Sequence, residues 1–263
     1  MRRILSSSAP AALGALGAAV FFLTWELIAR LGLVNPAFLP APTAVATSAY
    51  HLIVSGELLQ HLRASIWRAV LGFFFGSVIG VAVGIATARL PVFRHMSDPL
   101  LQMFRAIPSI AFVPLAIFWF GIGEVSKVFL IAWGVFFPVW VNTFLGVRDV
   151  NPLLMRAAAT LGAGGFRMLW NVVLPGALPL ILAGLRISLA VALVLLVAAE
   201  LAGATAGVGY FIQMSAQVFR VDQMFVGLIT LGILGFCADL LFVNVIKFLF
   251  PWYGAESRAA RRQ

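Results

Sequence analysis

The residues able to do chemistry are few and scattered. The 263 residues hold nine Asp and Glu, three His and one Cys, and the only lysines are Lys127 and Lys247. His51, His61 and His95 have no ligand spacing between them, and a lone histidine is ordinarily structural. Cys237, inside an apolar run, is the one cysteine, and a single cysteine excludes an intrachain disulfide and a cysteine metal site. A phosphate-binding loop needs Gly-Lys-Ser/Thr, whereas the two lysines follow Ser126 and Ile246, so the chain cannot itself hydrolyse ATP. A membrane-embedded enzyme, such as a lipid-head-group transferase, needs clustered carboxylates or histidines, and none cluster. We therefore expect no catalytic residue, no metal ligand and no cofactor bound by this chain.

The elements that would carry any function are apolar. Hydrophobic residues make up 62% of the chain and charged ones 10%, against roughly 45–50% and 25% in soluble domains. This predicts an all-α polytopic membrane protein, read as one domain over 1–263. A helix needs about 20 mostly apolar residues to cross the bilayer, and such stretches lie near 11–31, 65–88, 100–121, 127–147, 179–201 and 224–249, giving about six spans. Arg2 and Arg3 precede an apolar run that continues through Phe21, Phe22 and Trp25 to Leu31, too long for a signal peptide, so we read it as a retained helix.

The net charge of +9 comes from basic residues spread over short loops, which fits membrane topology better than nucleic-acid binding. With the N-terminus inside, the inner side collects Arg2, Arg3, Arg89, Arg94, Arg105, Arg148, Arg156, Arg167, Arg186, Lys247, Arg258, Arg261 and Arg262. The outer side keeps Arg30, Arg63, Arg68, Lys127 and Arg220. Both termini are thus predicted to be cytoplasmic. Between the first two spans, prolines at 36, 40 and 42 stop a helix, and Val45 to Leu62 is predicted as an amphipathic helix on the outer surface.

Within the spans, Gly72, Gly76, Gly80 and Gly84 recur every four residues and predict close helix packing. Pro108 and Pro114 break the third span, and Pro138 lies in the fourth with Asn142; each reads equally as a packing kink or as the lining of a path. With Trp119 and Glu200, the residues Pro108, Pro114 and Asn142 are the candidates for a translocation path or gate. Glu200, near the outer end of the fifth span, is either a gate or a structural hydrogen-bond partner. Asp239 is expected to pack or to pair with Lys247, and Arg186 to anchor the inner segment or pair with a carboxylate. Arg68 and Arg105 are either aids to an anionic substrate or snorkelling side chains. An ion-coupled carrier would show more paired charges at mid-membrane.

The segment from Arg148 to Pro179 is long for a loop and too apolar for disorder. Asn151-Pro152 starts a short helix over Leu153 to Leu161, Gly162 stops it, and Gly164-Gly165 turn the chain into a second short helix from about Phe166 to Val173. Such a knob, with Leu161, Phe166, Met168, Leu169 and Trp170, either lies on the membrane or is offered to a soluble partner.

The run Ala157-Ala158, Leu161-Gly162-Ala163, Phe166, Val172-Val173-Leu174-Pro175, Ala177, Pro179 and Gly184-Leu185-Arg186 resembles the EAA loop of ABC importer permeases. His61-Leu62, Trp67-Arg68, Ile107-Pro108, Trp119-Phe120-Gly121-Ile122-Gly123 and Ala199-Glu200 look like the branch that imports nitrate, taurine and aliphatic sulfonates, over roughly residues 20–250. The resemblance implies a methionine-importer-like (type I) core over 60–250, an extra N-terminal helix over 1–31 and a coupling loop over 148–179. Arg156, Ala157, Ala158, Leu161, Gly162, Ala163, Phe166 and Pro175 would then contact the ATPase. It also implies a transport subunit of the bacterial inner membrane and a second permease copy. Two ATPase subunits would hold ATP and magnesium, and a periplasmic binding protein would deliver a small anionic solute. The family usually has glutamate where this sequence has Arg156, reversing a charge beside the docking surface.

Overall fold

Long apolar stretches interrupted by Pro and Gly fold, in the computed structural model, into eleven α-helices over the described residues, 9–35 and 37–250, with no strand among them. Arg2, Arg3, Arg258, Arg261 and Arg262, which carry part of the charge asymmetry, and Pro36 lie outside the described residues. Five helical stretches are long and apolar enough to cross a membrane, or six when one bent pair is taken as a single span.

Helix α1 (Ala9–Arg30) is exposed from Ala12 to Thr24, as a span bathed in lipid is. It is tied to the rest where Trp25 Nε1 donates to the Pro40 carbonyl (3.1 Å) and the Trp25 ring meets Phe225 at 5.6 Å. Helix α2 (Pro42–Val54) starts on Pro42 and ends before Gly56, whose φ of +80° reverses the chain. The outer amphipathic helix is therefore shorter than Val45 to Leu62: from Glu57 the chain already belongs to α3 (Glu57–Arg89). That span begins eight residues earlier than the apolar run, in a stretch where His61 accepts from the Gly207 N–H beside α10.

The third span is not one kinked helix over 100–121. Helix α4 (Pro91–Ala106) ends at Ile107, held extended (φ −81°, ψ 123°) by the following Pro108. After a 3-10 turn (Ser109–Phe112), α5 (Val113–Phe120) leaves at 92° to α4. Pro114 breaks nothing, since it occupies the first turn of α5, where its missing N–H has no helical partner.

Helix α6 (Glu124–Arg148) is the central pillar, packed between α3 and α9 (Leu174–Leu201). The glycines of α3 make this possible. A Cβ on Gly76 would come 2.5 Å from the Ala132 carbonyl oxygen, and one on Gly84 2.6 Å from Thr143 Cβ. Gly72 and Gly80 face Ile131 and Val139 in the same way, so a four-residue stripe on α3 meets a four-residue stripe on α6. The same residues Ile131, Val135 and Val139, with Leu130, join Leu195, Leu196 and Ala199 of α9 in the main core.

Helices α7 (Pro152–Thr160) and α8 (Gly165–Met168) form the segment between α6 and α9. The second short helix does not stand alone over Phe166–Val173. After Met168 it runs through a π turn (Leu169–Val173) directly into α9, and the π turn stands just ahead of Pro175, whose missing N–H leaves one carbonyl of that turn without a helical donor. Two further helices complete the described residues: α10 (Val208–Gln217), a short element the sequence pattern did not announce, and α11 (Val221–Leu249).

Candidate functional site

The two ends of α9 carry the two groups of residues with functional potential. At its start stands the α7–α8 segment. Asn151 caps α7 by accepting a hydrogen bond from the Leu153 N–H (2.9 Å), with Pro152 in the first turn. The helix closes on Gly162 at φ +82°: the Gly162 N–H donates to the Ala159 carbonyl (3.0 Å) and the Ala163 N–H to the Ala158 carbonyl (2.9 Å). This is the Schellman arrangement, which requires a left-handed residue where glycine stands. Gly165, at φ +48°, turns the chain into α8.

One side of this knob is anchored. Met168, Val173, Ala177 and Ile181 are buried with Val147 and Val150 at the end of α6, and Met155, Ala158 and Ala163 pack against them. The opposite side carries Leu161 at 87% exposure and Phe166 at 74%, with the Phe166 and Trp170 rings 5.7 Å apart. Arg156 and Ala157 are exposed and Ala158 is half-buried. Arg156, Ala157, Leu161, Gly162 and Phe166 are thus each exposed on a segment with a packed base, and Pro175, also exposed, follows in the first turn of α9. An apolar patch of this kind is a surface for something to cover.

At the far end of α9, Glu200 is fully buried. Its Oε1 accepts from Ser65 Oγ (2.7 Å) and Arg68 Nη1 (2.8 Å), and its Oε2 accepts from the Gly209 N–H (2.8 Å). Arg68, 3% exposed, also gives Nε and Nη2 to Glu124 at 2.6 Å each and Nη1 to the Ala206 carbonyl at 2.6 Å. Lys127 Nζ donates to the Gly123 carbonyl (2.8 Å) and lies 3.8 Å from Glu124. Ser65 Oγ in turn accepts from the Val208 N–H (2.8 Å), and His61 Nδ1 from the Gly207 N–H (3.1 Å). Gly207 is obligatory at φ +132°, because a Cβ there would run into the Glu200 carboxylate. Two cations and two carboxylates balance, so the node is neutral and tied to α3, α6, α9 and the loop before α10.

Arg68 is therefore neither a snorkelling side chain nor exposed to a solute; the Glu124 and Glu200 carboxylates hold it inside. Sequence reasoning singled out Glu200 but missed Arg68 and Glu124 as its companions, since they stand 132 and 76 residues away. The remaining path candidates separate. Pro108, Pro114 and Trp119 lie on the exposed side of the broken span. Asn142 is half-buried, donating to the Pro138 carbonyl (2.8 Å) and packing on Gly184. Asp239 pairs not with Lys247 but with Arg186, through two bonds of 2.8 Å. Arg186 on α9 is simply nearer across the helix contact than Lys247, two turns along the same helix.

The chain is similar to known proteins along most of its length. The "Putative aliphatic sulfonates transport permease protein SsuC" of Bacillus subtilis is 41% identical over 239 residues, covering 91% of this chain and 87% of that protein. The taurine transport system permease protein TauC of Escherichia coli is 39% identical over 241 residues, covering 90% and 88%. Among solved structures, an inward-facing form of the MetNI methionine ABC transporter matches with a TM-score of 0.63 at 20% identity, over 72% of this chain and 94% of that one. The fold is thus that of a type I importer permease. The family model described as "Binding-protein-dependent transport system inner membrane component" matches residues 76–250, from the middle of α3 to the end of α11. This chain belongs to that family, the ABC importer permeases, as a membrane-spanning transport component and not an enzyme.

Proposed function

We propose that this permease forms the path for a small sulfonate, taurine or an alkanesulfonate, released into it by a periplasmic binding protein. The observation that carries the substrate class is the similarity to SsuC and TauC over nine-tenths of the chain. Nitrate, a smaller oxyanion, is the neighbouring possibility within the branch.

In this reading the α7–α8 knob faces the cytoplasm, as the concentration of Arg89, Arg94, Arg148, Arg156 and Arg167 at that end favours. Both termini then lie on the cytoplasmic side. The exposed Leu161 and Phe166 dock into an ATPase subunit, where Arg156, Ala157, Ala158, Gly162 and Ala163 shape the contact. Two permease copies and two ATPase subunits make the transporter, and ATP with magnesium binds in the ATPase pair. Because α8 continues through the π turn into α9, closure of that pair moves α9 directly; the buried node at Glu200 makes α3, α6 and α9 respond together at the outer end. The path candidates Pro108, Pro114 and Trp119 lie on the broken span beside this moving unit.

The test is uptake of labelled taurine by vesicles holding the permease with its ATPase, supplied with loaded binding protein. Uptake that depends on ATP inside supports the reading; binding and import of a cationic or sugar substrate instead of any sulfonate would reject it.

A further inference from the structure

The Arg186–Asp239 pair differs from the node at Glu200 in one respect that physics makes costly. Arg68 is 3% exposed, whereas the Arg186 and Asp239 side chains are 57% and 42% exposed, although both pairs join two spans. Asp239 lies roughly 27 Å along α11 from Val221 and roughly 15 Å from Leu249, by helical rise, and so inside the apolar stretch. Ionised groups at that depth do not face hydrocarbon; they face protein or a water-filled passage. On α9 the exposed surface continues from Arg186 along Ile187, Ala190 and Val194, while the opposite side packs on α6.

We propose that Arg186, held by Asp239, is a binding station for the sulfonate group of the solute in the passage. The inference rests on the substrate class proposed above. A sulfonate presents oxygens to the guanidinium fork in the same bidentate way as the Asp239 carboxylate now does, at 2.8 Å to Nε and to Nη2. Asp239 keeps the guanidinium extended and competes with the solute. Binding is therefore an exchange of one anion for another, weak enough for release. For taurine, the carboxylate freed by the exchange receives the ammonium group.

The experiment uses the whole transporter in vesicles, with taurine delivered by its binding protein. Arg186→Gln should lower uptake by about tenfold or more, the loss of one charge-assisted contact, while ATP hydrolysis stimulated by the loaded binding protein stays within about twofold. The exchanged pair, Arg186→Asp with Asp239→Arg, should stay as low; recovery of uptake would show a clasp between α9 and α11 and overturn the proposal. An independent readout leaves the pair intact: Ala190→Cys, in a Cys237→Ser background, should react with a membrane-impermeant methanethiosulfonate and be protected by taurine. No reaction, or reaction that taurine does not slow, would equally overturn it. Absence of sulfonate uptake by the unaltered transporter would reject the proposed substrate class as well; normal uptake with any of these adverse results rejects this inference alone.

Discussion

Arg68 Nη1 lies 2.8 Å from Glu200 Oε1, and both side chains are buried, so a guanidinium and a carboxylate 132 residues apart close one end of the bundle. The loop before α10 is built onto this pair: the Ala206 carbonyl and the Val208 and Gly209 N–H groups all bond to Arg68, Ser65 or Glu200. Partners on two helices and in one loop share one arginine, so its loss and the loss of any one carboxylate are unequal events.

Arg68→Met leaves Glu200 buried without its counter-ion and should cost about 3–5 kcal/mol. Glu124→Gln removes a partner that is 57% exposed and open to water, and should cost about 0.2–1 kcal/mol. Thermal unfolding of the purified chain in detergent separates the two, at roughly 2–4 °C per kcal/mol for a chain of this size. Equal losses would mean that the node is not organised around Arg68.

The α3–α6 contact makes a second prediction. A side chain at Gly76 meets the Ala132 backbone, which cannot swing away as a side-chain tip can. Gly76→Val should therefore destabilise by at least the upper end of the about 1–3 kcal/mol range for overpacking. Gly17→Ala in α1, where nothing lies within 4 Å, should change stability by less than about 1 kcal/mol. The yield of folded protein and its melting temperature check both.

At the knob, Gly162→Val puts a branched side chain at φ +82° with no neighbour within 4 Å. The strain, about 1–2 kcal/mol, falls on the turn alone and not on the core. The ATPase should still co-purify, while uptake per ATP hydrolysed falls by about tenfold. Unchanged uptake would separate this turn from the transmission of movement.

Arg156 is exposed on α7, beside Leu161 in the proposed docking patch, so Arg156→Glu should weaken binding of the transporter's own ATPase by about two- to tenfold at low salt and less at high salt. Titration of the ATPase onto the permease at two ionic strengths measures this. Tighter binding would show that the ATPase surface opposite carries positive charge.

Much of the architecture is legible in the residues because lipid imposes long apolar runs and glycine and proline punctuate them. The glycine stripe at 72–84, the Gly162 turn and the break at Pro108 each follow from local chemistry. What escapes a one-dimensional reading is pairing across the bundle. Asp239 stands eight residues from Lys247 and 53 from Arg186, yet it bonds to the latter because α9 and α11 adjoin. Arg68 likewise reads as an isolated cation until α3, α6 and α9 bring Glu124 and Glu200 to it. The start of α3 at Glu57 is hidden too, in a stretch where His61 accepts from the Gly207 N–H beside α10.

In the proposed function, energy reaches this permease through the exposed Leu161 and Phe166. This route is tested most directly by Leu161→Asp combined with Phe166→Asp, assayed for ATPase co-purification and for ATP-driven taurine uptake in vesicles. The permease should fold, since both side chains are exposed, but the ATPase should be lost and uptake should fall to background. ATPase binding and uptake at the unaltered level, or taurine transport by the permease with no ATPase present, would contradict this route.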